Sequence, residues 1–238
     1  MKKFRIFGIV AVFAAAVSVF AAQQAAAPKI VSEKMVVCGN KKLVLGQDGK
    51  IIVANASAEI AQIVPFTAYI INNSSNIDWT AYTVDECKVS VVDGKVVWQL
   101  FKTRNGKTFK SAEQTLEIQA DGIIKLSSKL VDLADKELKH RNEGAYHITV
   151  PIAGNEGRKV VFNDSKTLEI SADIKHGDWR APEFKYAIYP DLPAESFTII
   201  CKKPETHAMA VYRVGKDVRF AAPFAKETRV GSVYIDLR

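Results

Sequence analysis

The sequence predicts an all-β protein: one large two-sheet antiparallel β-sandwich, supersandwich-like in size, with at most one short helix. Three observations carry this expectation. First, Asp-Gly pairs punctuate apolar runs in "KLVLGQDGKIIVA", "CKVSVVDGKVVWQLF" and "QTLEIQADGIIKLSS". Asp-Gly suits tight hairpins because both central turn residues take positive φ, which Gly tolerates without steric cost and Asp fairly well. Second, apolar and polar residues alternate with period 2, as in sheets with one dry and one wet face. Third, the connections are short, whereas parallel strands would need long crossovers.

Taken in chain order, the first stretch is "MKKFRIFGIVAVFAAAVSVFAAQQAAAPK". Lys2, Lys3 and Arg5 make a basic start, Ile6 to Phe20 is apolar or small, and small residues follow. That is the three-part pattern of a secretory signal peptide, which places the protein in the periplasm or outside the cell. Cleavage after Ala21 leaves Val19 and Ala21 at the −3 and −1 positions, whereas cleavage after Ala27 would put Pro28 first. The apolar run is short for a membrane span, which needs roughly 20 apolar residues. The expected organisation is a signal peptide at 1–21, a flexible segment at 22–34 and a single β-sandwich domain at 35–238. No membrane association is expected once the leader is removed.

Beyond the leader, "TLEIQA" sets Leu116 and Ile118 on one face, against Glu117 and Gln119 on the other. In "GIIKLSSKLV" Ile124, Leu126 and Ser128 alternate with Ile123, Lys125 and Ser127. In "KTLEISADIK" the inward set is Leu168, Ile170, Ala172 and Ile174. Further strands are expected at "FTAYII", "AYHITV", "KVVF", "FKYAIY", "SFTIIC", "MAVYRV" and "SVYIDL". The one helix candidate is Val131 to Asn142, with Asp132 as cap and Glu137–Arg141 as a favourable i,i+4 pair. Its apolar stripe (Leu133, Ala134, Leu138) is thin, so an irregular crossover is the alternative. About fourteen closely spaced strands without a linker or repeat point to one sandwich.

Composition narrows the function classes. The chain has 33 basic and 26 acidic residues, a formal net charge of +7. The leader holds three of the basic residues and no acid, so the remainder carries 30 against 26, or +4. These charges are interspersed, whereas a nucleic-acid binder concentrates them in a stripe or patch. The three cysteines, Cys38, Cys87 and Cys201, each lie in an apolar strand-like run. They read as small core residues, with one disulfide plus one free thiol as the alternative. No C-x-x-C spacing suggests zinc, and no phosphate-binding glycine motif or G-x-S-x-G elbow occurs. Neither a metal nor a cofactor is expected.

The candidate ligand-binding segment is "IKHGDWRAPEFKY", which packs His176, Asp178, Trp179, Arg180 and Glu183 into eight residues. Trp179 offers a flat apolar platform for a sugar ring, and Asp178, Arg180 and Glu183 offer directional polar groups around it. The competing reading is a connection in which Trp179 caps the core and Arg180 pairs with a nearby carboxylate. Of the histidines, His147 and His207 stand at the starts of expected strands, where a sheet could bring them to one face; His140 and His176 lie elsewhere. Trp98, amid a strand, reads as core.

From "QTLEIQADGIIKLSSKLVDL" through "AYHITVP", "RKVVFNDSKTLEI", "FKYAIYPDLPAESFTIIC" and "GSVYIDL", the strand order resembles a known family. It is similar to the galactose-mutarotase-like, or supersandwich, β-sandwich modules that accompany bacterial carbohydrate-active enzymes. The resemblance covers about residues 35–238, and it rests on strand rhythm and turn placement. It implies a sheet face that holds sugars. Some members of that family transform carbohydrate and others only bind it. The family's catalytic histidines and carboxylate find no residue-by-residue match here. The expectation is therefore an exported non-catalytic carbohydrate-binding protein, acting alone or beside a partner glycosidase or envelope protein. The alternatives are an enzyme on the same scaffold (epimerase, lyase or glycosidase) and an envelope assembly module.

Overall fold

The structure is a computed structural model. It describes residues 26–67, 69–71, 77–78, 85–104, 106–130, 138–139, 144–175, 177–179, 183–202, 209–223 and 230–238. The chain opens with a meander of β1 (Lys29–Ser32), β2 (Met35–Cys38), β3 (Lys41–Leu45), β4 (Ile51–Ala54) and β5 (Glu59–Thr67). Two short strands follow, β6 (Tyr69–Ile71) and β7 (Ile77–Asp78). Next come β8 (Glu86–Val92), β9 (Lys95–Arg104), β10 (Lys107–Ile118), β11 (Ile124–Leu130), β12 (Leu138–Lys139) and β13 (Gly144–Pro151). Then β14 (Lys159–Phe162), β15 (Lys166–Glu169), β16 (Gly177–Trp179), β17 (Phe184–Ile188) and β18 (Phe197–Cys201) lead into the closing group. That group is β19 (Met209–Val214), β20 (Asp217–Pro223) and β21 (Val230–Asp236).

These strands form two nine-stranded sheets and one three-stranded sheet, and every pairing is antiparallel among the described residues. The first sheet runs β1-β2-β3-β4-β5-β13-β20-β19-β16; the second runs β15-β14-β17-β18-β21-β11-β10-β9-β8. The small sheet is β12-β6-β7. The expected all-β sandwich is therefore the observed one, with no helix among the described residues. There are more strands than the sequence suggested because several, such as β7, β12 and β16, are only two or three residues long. Of the helix candidate at Val131–Asn142, Leu138–Lys139 is strand, paired with Ile70 and Ile71. The rest of that stretch lies outside the described residues. The signal-peptide segment also lies outside them, and β1 falls within the 22–34 stretch.

The three Asp-Gly turns prove to be of two kinds. At Asp93-Gly94 both residues have positive φ (49° and 72°), linking Val92 directly to Lys95 as expected for a two-residue hairpin. At Asp48-Gly49 only the glycine is left-handed, with φ 77°. There the Asp48 carboxylate instead accepts the Lys50 amide at 3.1 Å. The Asp121 carboxylate takes the Ile123 amide at 3.0 Å in the same way. These are longer loops in which Asp acts through its side chain. "KTLEISADIK" also departs from expectation. Its strand stops at Glu169, Ile170 is fully buried, and Ala172 turns out to be exposed in a turn.

The core lies between the two large sheets. Val36, Leu43, Ile51 and Ile63 from one meet Trp98, Leu116, Leu126 and Val233 from the other, all at 0% exposure. Each such side chain contributes roughly 1.5–3 kcal/mol on burial. Tyr186 on β17 packs on Phe220 of β20 with ring centroids 5.2 Å apart, tying one sheet to the other. Cys38 and Cys201 are core residues, Cys87 is half-buried, and none of the three forms a disulfide.

Several buried polar groups are paired across the layers. Tyr146 donates its hydroxyl to Ser128 (2.7 Å), Ser128 donates to Gln114 Oε1 (3.1 Å), and Gln114 Nε2 donates to the Gly49 carbonyl (2.7 Å). Trp98 Nε1 donates to the Gly46 carbonyl at 3.0 Å. At the far end, the ammonium of Lys41, only 5% exposed, donates to the carbonyls of Ser196 and Leu237. It thereby ties β3 to the C-terminal strand, and burial holds its pKa below the ordinary lysine value.

Candidate functional site

Register decides which side chains share the outer face of the first sheet. On β13, Tyr146, Ile148 and Val150 are buried toward the core, so His147 and Thr149 take the other side. On β20, Val218, Phe220 and Ala222 are buried, which puts Arg219 and Ala221 outside. Thr149 stands opposite both Gln62 of β5 and Arg219 of β20, and Arg219 stands opposite Tyr212 of β19. Directly opposed antiparallel residues share a face with Cβ atoms about 5 Å apart. Gln62, Thr149, Arg219 and Tyr212 thus form a polar row across four strands, with His147 beside it.

Three of these side chains interact closely. The Tyr212 hydroxyl and His147 Nε2 are 3.5 Å apart, at the long end for a hydrogen bond. Their rings meet edge to face with centroids 6.5 Å apart. The Arg219 guanidinium lies over the Tyr212 ring, 5.9 Å from its centroid. His147 is only 8% exposed although it is on the outer face. Burial first, and the Arg219 charge second, pull its pKa down to about 3. Its imidazole is therefore neutral at physiological pH, one ring nitrogen donating and the other accepting.

Arg219 is the anomaly of the row. Its Nε is buried without a hydrogen-bond partner. Among the described residues the guanidinium forms no ion pair. Gln62, by contrast, is occupied, donating to Glu59 at 2.7 Å. Arg213, one residue beyond Tyr212, gives its N–H groups to the carbonyls of Gly215 and Ala172.

The residues singled out from sequence are only partly placed. His176 and Arg180 lie outside the described residues, as do His140 and His207. Asp178 and Trp179 are placed as backbone of β16, opposite Ala210 and Met209. Glu183 is exposed, and its carbonyl accepts Asn163 Nδ2 at 3.2 Å. Within that segment, Gly177–Trp179 is the edge strand of the first sheet. That strand is the immediate neighbour of β19, which carries Tyr212. His147 sits inside β13 rather than at its start. Trp98 is fully buried, as its strand position suggested.

Elsewhere, a concavity of about 440 Å³ opens between the β1–β2 turn, the end of β3 and edge strand β8. Its lining includes Glu33, Lys34, Leu45, Cys87 and Lys88. Burial there pushes the Cys87 thiol up to about 11, so it stays protonated and poorly nucleophilic near neutral pH. No group of three or more metal-ligating side chains gathers among the described residues. No protein-family model and no curated protein matches the chain.

Proposed function

We propose that this is an exported β-sandwich protein that binds carbohydrate, without transforming it, on the outer face of its first sheet. The observation that carries the reading is the polar-aromatic row Gln62–Thr149–Arg219–Tyr212 with His147 beside it. A neutral imidazole, a phenol, a hydroxyl and an amide both donate and accept, which matches the dual character of sugar hydroxyls. The adjoining edge strand β16 pairs with β19, the strand that carries Tyr212. The galactose-mutarotase-like resemblance adds the same expectation, a sheet face that holds sugars. Binding is favoured over catalysis because a histidine with a pKa about 3 is poorly matched to proton transfer near pH 7.

An assembly role is the second reading. It is favoured by Val91 and Val92, 46% and 50% exposed on edge strand β8. A glycan array followed by thermal shift decides between them, comparing the wild type with Tyr212→Ala and Thr149→Ala. Sugar binding weakened by both substitutions is expected. Failure to bind any glycan, or unchanged binding by Tyr212→Ala, would remove the carbohydrate reading at this face.

A further inference from the structure

We propose that strand β8 is a pairing edge whose partner is the same strand of a second copy of this chain, antiparallel across a two-fold axis at Val89. This goes beyond the carbohydrate reading and is independent of it, since β8 belongs to the second sheet and the polar row to the first.

The outer edges of the two large sheets are not alike. β1 has four residues and a register shift between Ile30 and Ser32. β15 has four residues, with Lys166 and Glu169 exposed. β16 has three. Short length, bulges and charges are the devices by which sheets keep their free edges from pairing. β8 has seven residues in unbroken register with β9, from Glu86 opposite Phe101 to Val92 opposite Lys95. Among the described residues β9 is its only strand partner. Lys88 is its one basic residue, and no proline or bulge interrupts it.

The two halves of the strand differ. Cys87, Val89 and Val91 stand opposite Leu100, Trp98 and Val96, all fully buried, so these three face inward. Cys87 and Val89 pack against the core and line the concavity of about 440 Å³. Val91 has the same orientation but is 46% exposed, and Val92, on the other face, is 50% exposed. The first half is thus an edge with a hollow beside it, and the second is uncovered and carries a valine on each face.

A two-fold axis perpendicular to the sheet at Val89 lays one half on the other. It pairs every residue of β8, with Val89 opposite the partner's Val89, Cys87 opposite the partner's Val91 and Lys88 opposite the partner's Ser90. Each exposed Val91 then comes beside the hollow lined by Cys87 and Val89 of the other copy. A centre at Lys88 would set it against the partner's Lys88, a direct like-charge pair. Every centre other than Val89 leaves part of the strand unpaired. The interface is isologous, and it joins the two second sheets into one continuous sheet.

The test is sedimentation equilibrium of the purified protein over a range of concentrations. A monomer–dimer equilibrium is expected, and Val91→Lys should weaken it at least tenfold. Val214→Lys, at an exposed valine outside β8, should leave it unchanged. Circular dichroism and melting temperature of each variant show that the fold is retained. Register is read by cross-linking in a Cys87→Ser background. Val89→Cys should form a disulfide between copies under mild oxidation, because directly opposed residues hold their Cα atoms about 5 Å apart. Glu86→Cys should not, because its mate lies opposite Val92, about 20 Å away along the strand.

A wild type that stays monomeric at every concentration overturns the proposal and leaves the edge to a different chain. A dimer that Val91→Lys does not weaken overturns it as well. Failure of Val89→Cys to cross-link, or cross-linking through Glu86→Cys instead, overturns the pairing at Val89.

Discussion

Tyr146 and His147 are neighbours on β13, and their side chains go to opposite faces of the same sheet. Tyr146 faces inward and heads a hydrogen-bonded chain through Ser128 and Gln114 to the Gly49 carbonyl, crossing from one sheet to the other and back. His147 faces outward among Tyr212 and Arg219, where the contact is long and a buried arginine donor has no acceptor. Both regions are polar and both are largely removed from water. The inner one uses its hydrogen-bonding capacity to fix how the two sheets stack. In the outer one a single buried donor, Arg219 Nε, is left without a hydrogen-bond partner.

The comparison breaks most sharply at Trp98, the largest fully buried side chain and the inner donor to Gly46. Trp98→Ala should cost about 3–5 kcal/mol through lost burial and the cavity left behind. Urea denaturation reads this directly, and a loss below 1 kcal/mol would mean that the sheets do not pack as described.

Next in size is the pH response of the outer face. The folded-state pKa of His147, about 3, lies below the ordinary 6.5. Between those values the unfolded chain takes up a proton that the folded chain refuses. The His147 contribution is therefore intact above about pH 6.5 and is lost progressively as pH falls toward 3. The slope approaches about 1.4 kcal/mol per pH unit at most. Denaturation curves at pH 7.5, 5.5 and 4.5 should show this decline, and His147→Gln should flatten it. Identical pH profiles for the two proteins would place His147 in water, not in a buried site.

Much of the inner face was legible in the sequence, because period-2 alternation states which residues face in. Leu116, Ile124, Leu126 and Ser128 all follow it, and each Asp-Gly pair marks a real turn. Turn type was less legible. Whether Asp bends the backbone or caps it with a carboxylate depends on loop length, and all three sites share the same dipeptide. The outer row was hidden for a different reason. Alternation in "DVRF" places Arg219 outward between Val218 and Phe220, and "AVYR" does the same for Tyr212. Nothing local says that residues 147, 212 and 219 lie on adjacent strands. That adjacency comes from the order β13-β20-β19, which joins segments some 60 residues apart. The segment around Trp179 stood out by composition alone. Its edge-strand place beside β19 became visible only with the pairing of Gly177 and Val211.

Tyr146→Phe sharpens the inner side on a finer scale. It deletes one hydroxyl from a buried chain and leaves the Ser128 oxygen short of a donor. About 1–2 kcal/mol should be lost, with no change in ligand affinity. A change in affinity without a change in stability would reverse the roles assigned to the two faces.

The smallest expected effect is also the most discriminating. Arg219→Met keeps an unbranched apolar stem over Tyr212 and removes the guanidinium. The lost cation–π contact contributes about 0.5–1 kcal/mol at a partly exposed site. Removing a buried, unsatisfied donor returns a similar or larger amount. The two terms oppose each other, so stability should stay within about 0.5 kcal/mol of the wild type or rise slightly. Equilibrium denaturation at pH 7.5 measures it. A loss above 2 kcal/mol would show Arg219 to be a structural residue whose partners hold the sheet together. A neutral or stabilising result combined with lost ligand binding would mean that the outer row keeps its arginine at no benefit to the fold. The difference between residues 146 and 147 would then be one of purpose as well as direction.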